Sequence, residues 1–195
     1  MLQKTPASKG EKRRAEILAT ARTQLIECGY EGFSMREVAA SLDTKLGHIQ
    51  YYFSSKNKLL EAVIRDEFRV NLETAQTIVS EAADSEAVLG ESVRALIGQW
   101  YSEGKYIYAL MSFMALHNDG FRRLNDELNK EFYTVVGNIL SAKDPSLSSS
   151  QISKKTKLIT ALMDGGLLHL HISSHESETF MQDIIETVNI IAGTK

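Results

Sequence analysis

The sequence predicts an all-α chain of about nine helices, a small three-helix unit followed by a larger helical bundle. Three observations predict it. Apolar residues recur at three- and four-residue spacing along most of the chain. Only two prolines interrupt 195 residues, and no stretch alternates β-branched residues in the manner of a half-buried strand. Ser, Asn and Gly stand where helices of that spacing would start and stop.

Met1 to Gly10 has no periodicity and reads as a flexible basic arm. Lys4 and Lys9, with Lys12, Arg13 and Arg14 just after, either touch a polyanion or solubilise the tail. Glu11 to Cys28 places Ile17, Leu18, Ala21, Leu25 and Ile26 on one stripe, with Gly29 as the stop and Cys28 as small core filler. Ser34 and Glu37 form a capping box, opening a second helix with Val38, Ala39 and Leu42 inward. Asp43-Thr44 breaks it, and Lys45 to Tyr52 makes a third, short helix. Ile49 and Phe53 can both face inward, but Lys45, Leu46, His48, Gln50, Tyr51 and Tyr52 cannot all follow them. A short helix with a cation, an amide, an imidazole and two phenols outside is equipped to read another surface. Two helices joined by a tight turn, the second so equipped, describe a helix-turn-helix that enters the DNA major groove.

Ser54 or Ser55 then caps a long helix running to about Ala83 through Leu59, Leu60, Val63, Ile64, Phe68, Leu72, Ala75, Ile78 and Val79. Further helices are expected over about Ser85–Ser102, Tyr106–His117, Phe121–Leu140, Gln151–Ser173 and Ser177–Ala192, with Lys143 to Ser150 as the clearest loop. The segment Tyr106–His117 is apolar almost all round, as a helix at the centre of a bundle is. The last two helices each carry a wide apolar face, which either meets a second chain or packs within the monomer. Gly165-Gly166 inside the first of these costs roughly 1 kcal/mol per residue against Ala, which close helix approach can offset.

The net charge of -3 hides an asymmetry. Residues 1–60 hold 10 Lys/Arg against 6 Asp/Glu, a net of +4, and the remainder 12 against 19, a net of -7. A basic head on an acidic body suits a polyanion bound at the head. One cysteine excludes an internal disulfide framework, and the absence of a spanning apolar run or a signal-peptide pattern leads to the expectation of a cytoplasmic protein without membrane contact. No Gly-rich phosphate loop, G-x-S-x-G, H-E-x-x-H or Cys/His constellation is present, so neither enzyme nor cofactor is expected. His169 and His171 face opposite sides of a helix. His171 and His175 are four apart but lack a third ligand at a matching offset, so no metal site is expected.

From Ile17 to Ala62 the chain resembles the DNA-binding domain of the TetR family of bacterial transcriptional regulators. The resemblance rests on Ile17-Leu18-Ala19 through Gly29-Tyr30, Phe33-Ser34, Glu37-Val38-Ala39, and Gly47 to Lys56 followed by Leu59-Leu60. The chain departs from the family in the turn, where Asp43-Thr44-Lys45 replaces the frequent Gly-Val-Ser. The resemblance implies an arm at 1–10, a helix-turn-helix DNA-binding domain at 11–54 and a ligand-binding and dimerisation domain at 55–195. It implies base contacts from Lys45, Leu46, Gly47 and His48, and phosphate contacts from Gln50, Tyr51, Tyr52, Lys56, Ser34 and Arg36. It also implies a small apolar or amphipathic inducer against Trp100, Tyr108, Met111, Phe113, Met114, His117, Phe121, Phe132 and Met163, which otherwise are plain core. A homodimer through Leu158, Leu162, Gly166, Leu170, Phe180, Ile184, Val188 and Ile191 would place two heads on a near-palindromic operator. The function expected is that of a ligand-responsive repressor. The alternatives are a DNA-binding protein of this fold without an inducer, or a carrier or enzyme that merely contains a helix-turn-helix.

Overall fold

The computed structural model describes residues 8–81, 88–99, 105–172 and 177–193. Among the described residues there are nine α-helices and no strand, as the periodicity predicts. In chain order they are α1 (Lys9–Gly32), α2 (Met35–Ser41), α3 (Leu46–Tyr52), α4 (Lys56–Glu81), α5 (Val88–Gln99), α6 (Lys105–His117), α7 (Asp119–Lys143), α8 (Ser149–Ile172) and α9 (Ser177–Gly193). They belong to two compact units, residues 1–66 and 67–195, and α4 contains the boundary between them.

In the first unit, α1 starts earlier than the sequence suggests. Ser8 accepts from the Glu11 backbone N–H, and the Glu11 carboxylate accepts from Ser8 in return, a complete capping box. Gly29 ends the regular path, with φ 66° and ψ 179°, which a side chain would make costly; one further turn follows to Gly32. Ile17, Leu18, Ala21 and Leu25 are buried, whereas Ile26 and Cys28 are exposed, contrary to expectation. At 100° per residue Ile26 falls on the flank of the stripe. Cys28 lies beside Gly32, which offers no side chain to cover it.

The turn between α2 and α3 closes by a Schellman pair. Asp43 N–H donates to Ala40 C=O at 3.0 Å, and Thr44 N–H to Ala39 C=O at 2.9 Å. Asp43 itself sits at φ 46°, the left-handed position that usually takes glycine and that Asp tolerates better than most. The departure from the family's turn sequence therefore preserves the turn.

In the second unit α6, α7, α8 and α9 pack in succession and α5 lies on α9. Asn118 caps α7 through the Gly120 and Phe121 N–H groups, and Ser148 caps the start of α8 with Gln151 reaching back. A Cβ on Gly166 would collide with Ile184, so the glycine is what lets α8 and α9 approach. The buried Lys155 donates from Nζ to the Ile191 and Ala192 carbonyls, satisfying the last turn of α9. The segment α6 is less central than its composition suggests: Ile107, Met111 and Met114 are buried, but Phe113 and Leu116 face solvent.

One titratable pair lies inside this unit. The buried Tyr108 ring stacks on Phe68 at 6.2 Å, and its hydroxyl donates to Asp164 and accepts from Ser112. Burial, then the Asp164 charge, holds the phenol above its ordinary value. Burial likewise raises the Asp164 carboxyl, which the hydrogen bond from Tyr108 partly offsets.

Two outcomes follow from these local geometries. Asp43→Gly is expected to stabilise the chain by about 0.5–1 kcal/mol in urea unfolding, because glycine adopts left-handed backbone freely, while Asp43→Val is expected to destabilise it. A carboxyl raised on folding stabilises the chain while protonated, and that contribution is lost as pH rises through its raised value. Asp164→Asn keeps an acceptor for Tyr108 and cannot ionise. Its melting temperature should therefore fall less than the wild type's as pH rises from the ordinary carboxylate range to neutrality; parallel curves would refute the assignment.

Candidate nucleic-acid interface

The short helix α3 presents its outer face because Ile49 and Phe53 are buried beneath it. Lys45 is its N-cap residue but makes no side-chain cap bond. Neither Lys45 nor the exposed Arg36 on α2 has a hydrogen-bond or ion-pair partner among the described residues. Leu46 and Tyr52 are half-buried, Gln50 is exposed, and Tyr51 is 83% exposed. Gly47 is exposed, and a Cβ built there would meet nothing within 4 Å. The chain itself thus has no packing need for this glycine, and the open space lies on the outside. Ser34 is half-buried, its oxygen already accepting from Glu37 N–H as the cap of α2.

The aromatic groups form a row. His48 Nδ1 lies 2.9 Å from Thr44 Oγ1, the His48 and Tyr52 rings are 5.8 Å apart, and Tyr51 meets Tyr52 edge-on at 5.2 Å. Tyr52 lines two grooves at once. One, of about 540 Å³, runs between Lys9, Lys12, Arg13 and Glu16 of α1 and His48 of α3. The other, of about 310 Å³, is bordered by Arg14, Ser54, Lys58, Glu61 and Arg65. Arg13 bonds Glu16 at 2.8 Å, and the Arg14 guanidinium lies over the Phe53 ring at 5.2 Å. The basic residues of α1 therefore belong to the same surface as α3. Sequence reasoning missed Lys58 and Arg65, although their seven-residue spacing puts them on one side of α4.

Lys56 is placed differently from the phosphate contact expected of it. Its ammonium donates to the Tyr30 carbonyl at 2.9 Å and lies over the Tyr30 ring at 4.1 Å and nearer to it than to Phe33, at 5.6 Å. An acceptor and two ring faces hold the cation inward, so it fastens the start of α4 to the end of α1.

The residues expected around an inducer divide into three sets. Tyr108, Met111, Met114, Phe121, Phe132 and Met163 are buried in the second unit. Phe113 and His117 lie on the exposed side of α6 with their rings 5.0 Å apart, and Trp100 lies outside the described residues. Spacing did not single out Asn71, which is buried in α4 with neither amide atom partnered among the described residues.

The expected dimer residues divide as well. Gly166, Leu170, Ile184 and Val188 are buried within the second unit, the first of them against Ile184, so they serve this chain's own packing. Leu162, Phe180 and Ile191 are half-buried. The outward apolar residues are Leu158 and Leu168, each 49% exposed, and Ile190, 64% exposed. Gly165, between the two leucines, has nothing within 4 Å of where a Cβ would stand. Leu168 and Ile190 were not anticipated. Among the described residues no group of three or more His, Cys, Asp or Glu side chains is placed to hold a metal, and no helix is long and apolar enough to cross a membrane.

Residues 17–63 match the family described as bacterial regulatory proteins, tetR family. Over 77 residues the chain is 32% identical to a probable HTH-type transcriptional regulator, YttP, from Bacillus subtilis (strain 168), a match covering 38% of this chain and 37% of that relative. The likeness in fold extends much further. A putative TetR-family transcriptional regulator from Syntrophomonas wolfei superposes with a TM-score of 0.79 at 15% identity, covering 95% of this chain and 97% of that one. Another from Rhodococcus sp. has a TM-score of 0.79 at 15% identity, covering 93% and 99%. At such identities the superpositions speak for the fold, while the N-terminal match speaks for the helix-turn-helix. Residues 17–63 thus match the helix-turn-helix segment of the tetR family of bacterial regulatory proteins, and the chain as a whole shares the fold of the solved structures it superposes on.

Proposed function

We infer that the chain is a DNA-binding transcriptional regulator, a repressor that binds a near-palindromic operator as a homodimer and is released by a small molecule. The observation that carries the DNA reading is the outer face of α3. It holds an unpartnered Lys45, a Gly47 with open space beyond it and a positioned His48, beside the cations lining the grooves around Tyr52. Lys45 can donate to guanine O6/N7, and Leu46 can meet a thymine methyl. Arg36, Gln50, Tyr51 and Tyr52, with Lys9, Lys12, Lys58 and Arg65 around them, suit phosphates, which fix register without reading sequence. Ser34 keeps its hydroxyl proton for a phosphate oxygen while its oxygen caps α2. Lys56 supports this surface from within.

The dimer reading is supported by the outward stripe Leu158, Gly165 and Leu168 on α8, with Ile190 on α9. A glycine open to solvent in mid-helix serves no packing in its own chain, and a second helix resting on it would give it one. An inducer reading is supported by the buried Tyr108–Asp164 pair and by the Asn71 amide, unpartnered among the described residues, which place hydrogen-bonding groups among the apolar side chains of the bundle. A ligand there releases DNA only if it binds the DNA-incompetent geometry more tightly. α4, one continuous helix from Lys56 to Glu81, is the element through which such a preference would reach the head.

The deciding experiment is selection from a pool of random duplexes by the purified full chain at moderate salt. Enrichment of a near-palindrome is expected, with Lys45→Ala relaxing base preference. Gly47→Ala should leave the fold up to about 1 kcal/mol more stable yet weaken binding to the enriched duplex about tenfold or more, because its Cβ enters the space the DNA needs. No enriched sequence with the wild type would overturn the reading. Sedimentation should show a wild-type dimer and a folded Leu168→Glu monomer; a Leu168→Glu dimer of wild-type affinity would move the interface elsewhere.

A further inference from the structure

The turn that departs from the family's sequence also carries a polar contact the proposed DNA reading has not used. Thr44 closes the Schellman pair through its backbone N–H, so the position of its side chain is fixed by the same turn that sets the angle between α2 and α3. From there its Oγ1 lies 2.9 Å from Nδ1 of His48, one turn further on. The His48 ring is also met by Tyr52, which itself meets Tyr51 edge-on. The imidazole is therefore bracketed by residues four before and four after it. Among the described residues His48 has no other hydrogen-bond partner, and its side chain is exposed.

We propose that Thr44 is a positioning residue for operator recognition, donating its hydroxyl proton to His48 Nδ1 so that Nε2–H is presented outward as a donor to a base-edge acceptor. The inference rests on the DNA-binding reading above. The two ring nitrogens have distinct roles, and the partner of one decides which carries the proton on the other. An imidazole accepting at Nδ1 is a single donor, which suits guanine N7 or O6, adenine N7 or thymine O4, and is mismatched to the N4 amino group of cytosine. His48 is the third residue of α3, and the first residues of a recognition helix are the ones that reach base edges. A phosphate oxygen offers the same acceptor chemistry but carries no sequence information. Thr44 would then tune specificity without touching DNA.

The test uses the full chain in two arms. In the free protein, ring-nitrogen NMR of His48 is expected to show a bare Nδ1 and a protonated Nε2, with Thr44→Val returning the ring to a tautomer mixture and Thr44→Ser keeping the wild-type pattern. Nδ1 carrying the proton in the wild type overturns the assignment whatever the DNA does. In selection from random duplexes, Thr44→Val is expected to lower preference about three- to tenfold at one base-pair position in each half-site, the size of one hydrogen bond. It should be the position His48→Ala relaxes, with Thr44→Ser retaining it and Thr44→Val adding nothing to His48→Ala. Thr44→Ala, a second variant without the hydroxyl, guards against a turn effect peculiar to valine; melting temperatures identify any variant that is simply unfolded. Uniform weakening across all sequences assigns the contact to phosphate or to the turn and overturns the specificity role. An unchanged profile, or relaxation at a position that His48→Ala leaves intact, does the same. A wild type that enriches nothing overturns the DNA reading and this inference with it, and is told apart from the other failures by the wild-type arm alone.

Discussion

A helix of seven residues has no stability of its own, since isolated helices below about 12–15 residues are marginal in water. α3 persists because Ile49 and Phe53 are drawn into the core built by Ile17, Ala21, Leu25, Val38, Leu59 and Leu60. That burial leaves His48, Gln50 and Tyr51 of α3 exposed on its outer side. Lys56 tightens the same core from the other side, spending its charge on the Tyr30 carbonyl and two rings. The contact face thus stands on a rigid base, and the groups that would meet DNA owe little to the fold.

The second unit solves a different problem. Its helices are long enough to pack by stripes, and its polar groups mark the exceptions. Lys155 spends a buried cation on helix-end carbonyls, and Tyr108 and Asp164 satisfy one another. Among the described residues Asn71 satisfies neither of its amide atoms, which costs free energy that an apolar residue of similar shape would not. A chain that retains such a group invites a reason beyond packing.

Much of this could be read from the sequence where one physical rule dominates. The inward pair Ile49 and Phe53, the cap at Ser34 and the tolerance of Asp43 for left-handed backbone each follow from local rules, and so do the nine helices among the described residues. What escaped depends on direction rather than spacing. Gly165 and Gly166 are adjacent and look alike in sequence, but 100° of rotation turns one to solvent and the other onto Ile184. Lys56 looked like a phosphate contact because its partners, Tyr30 and Phe33, are distant in sequence. The Thr44–His48 contact was hidden because it needs the path of the turn and not merely its existence.

Lys155 also says something about how this chain can be handled. Its ammonium is buried against the carbonyls of Ile191 and Ala192, so the last turn of α9 is a counterpart for a cation as well as the end of a helix. A chain shortened to Ile190 takes these two carbonyls away from the buried cation, so the loss is felt at Lys155, 36 residues before Ile191. The last turn of α9 is in that sense part of the middle of the bundle.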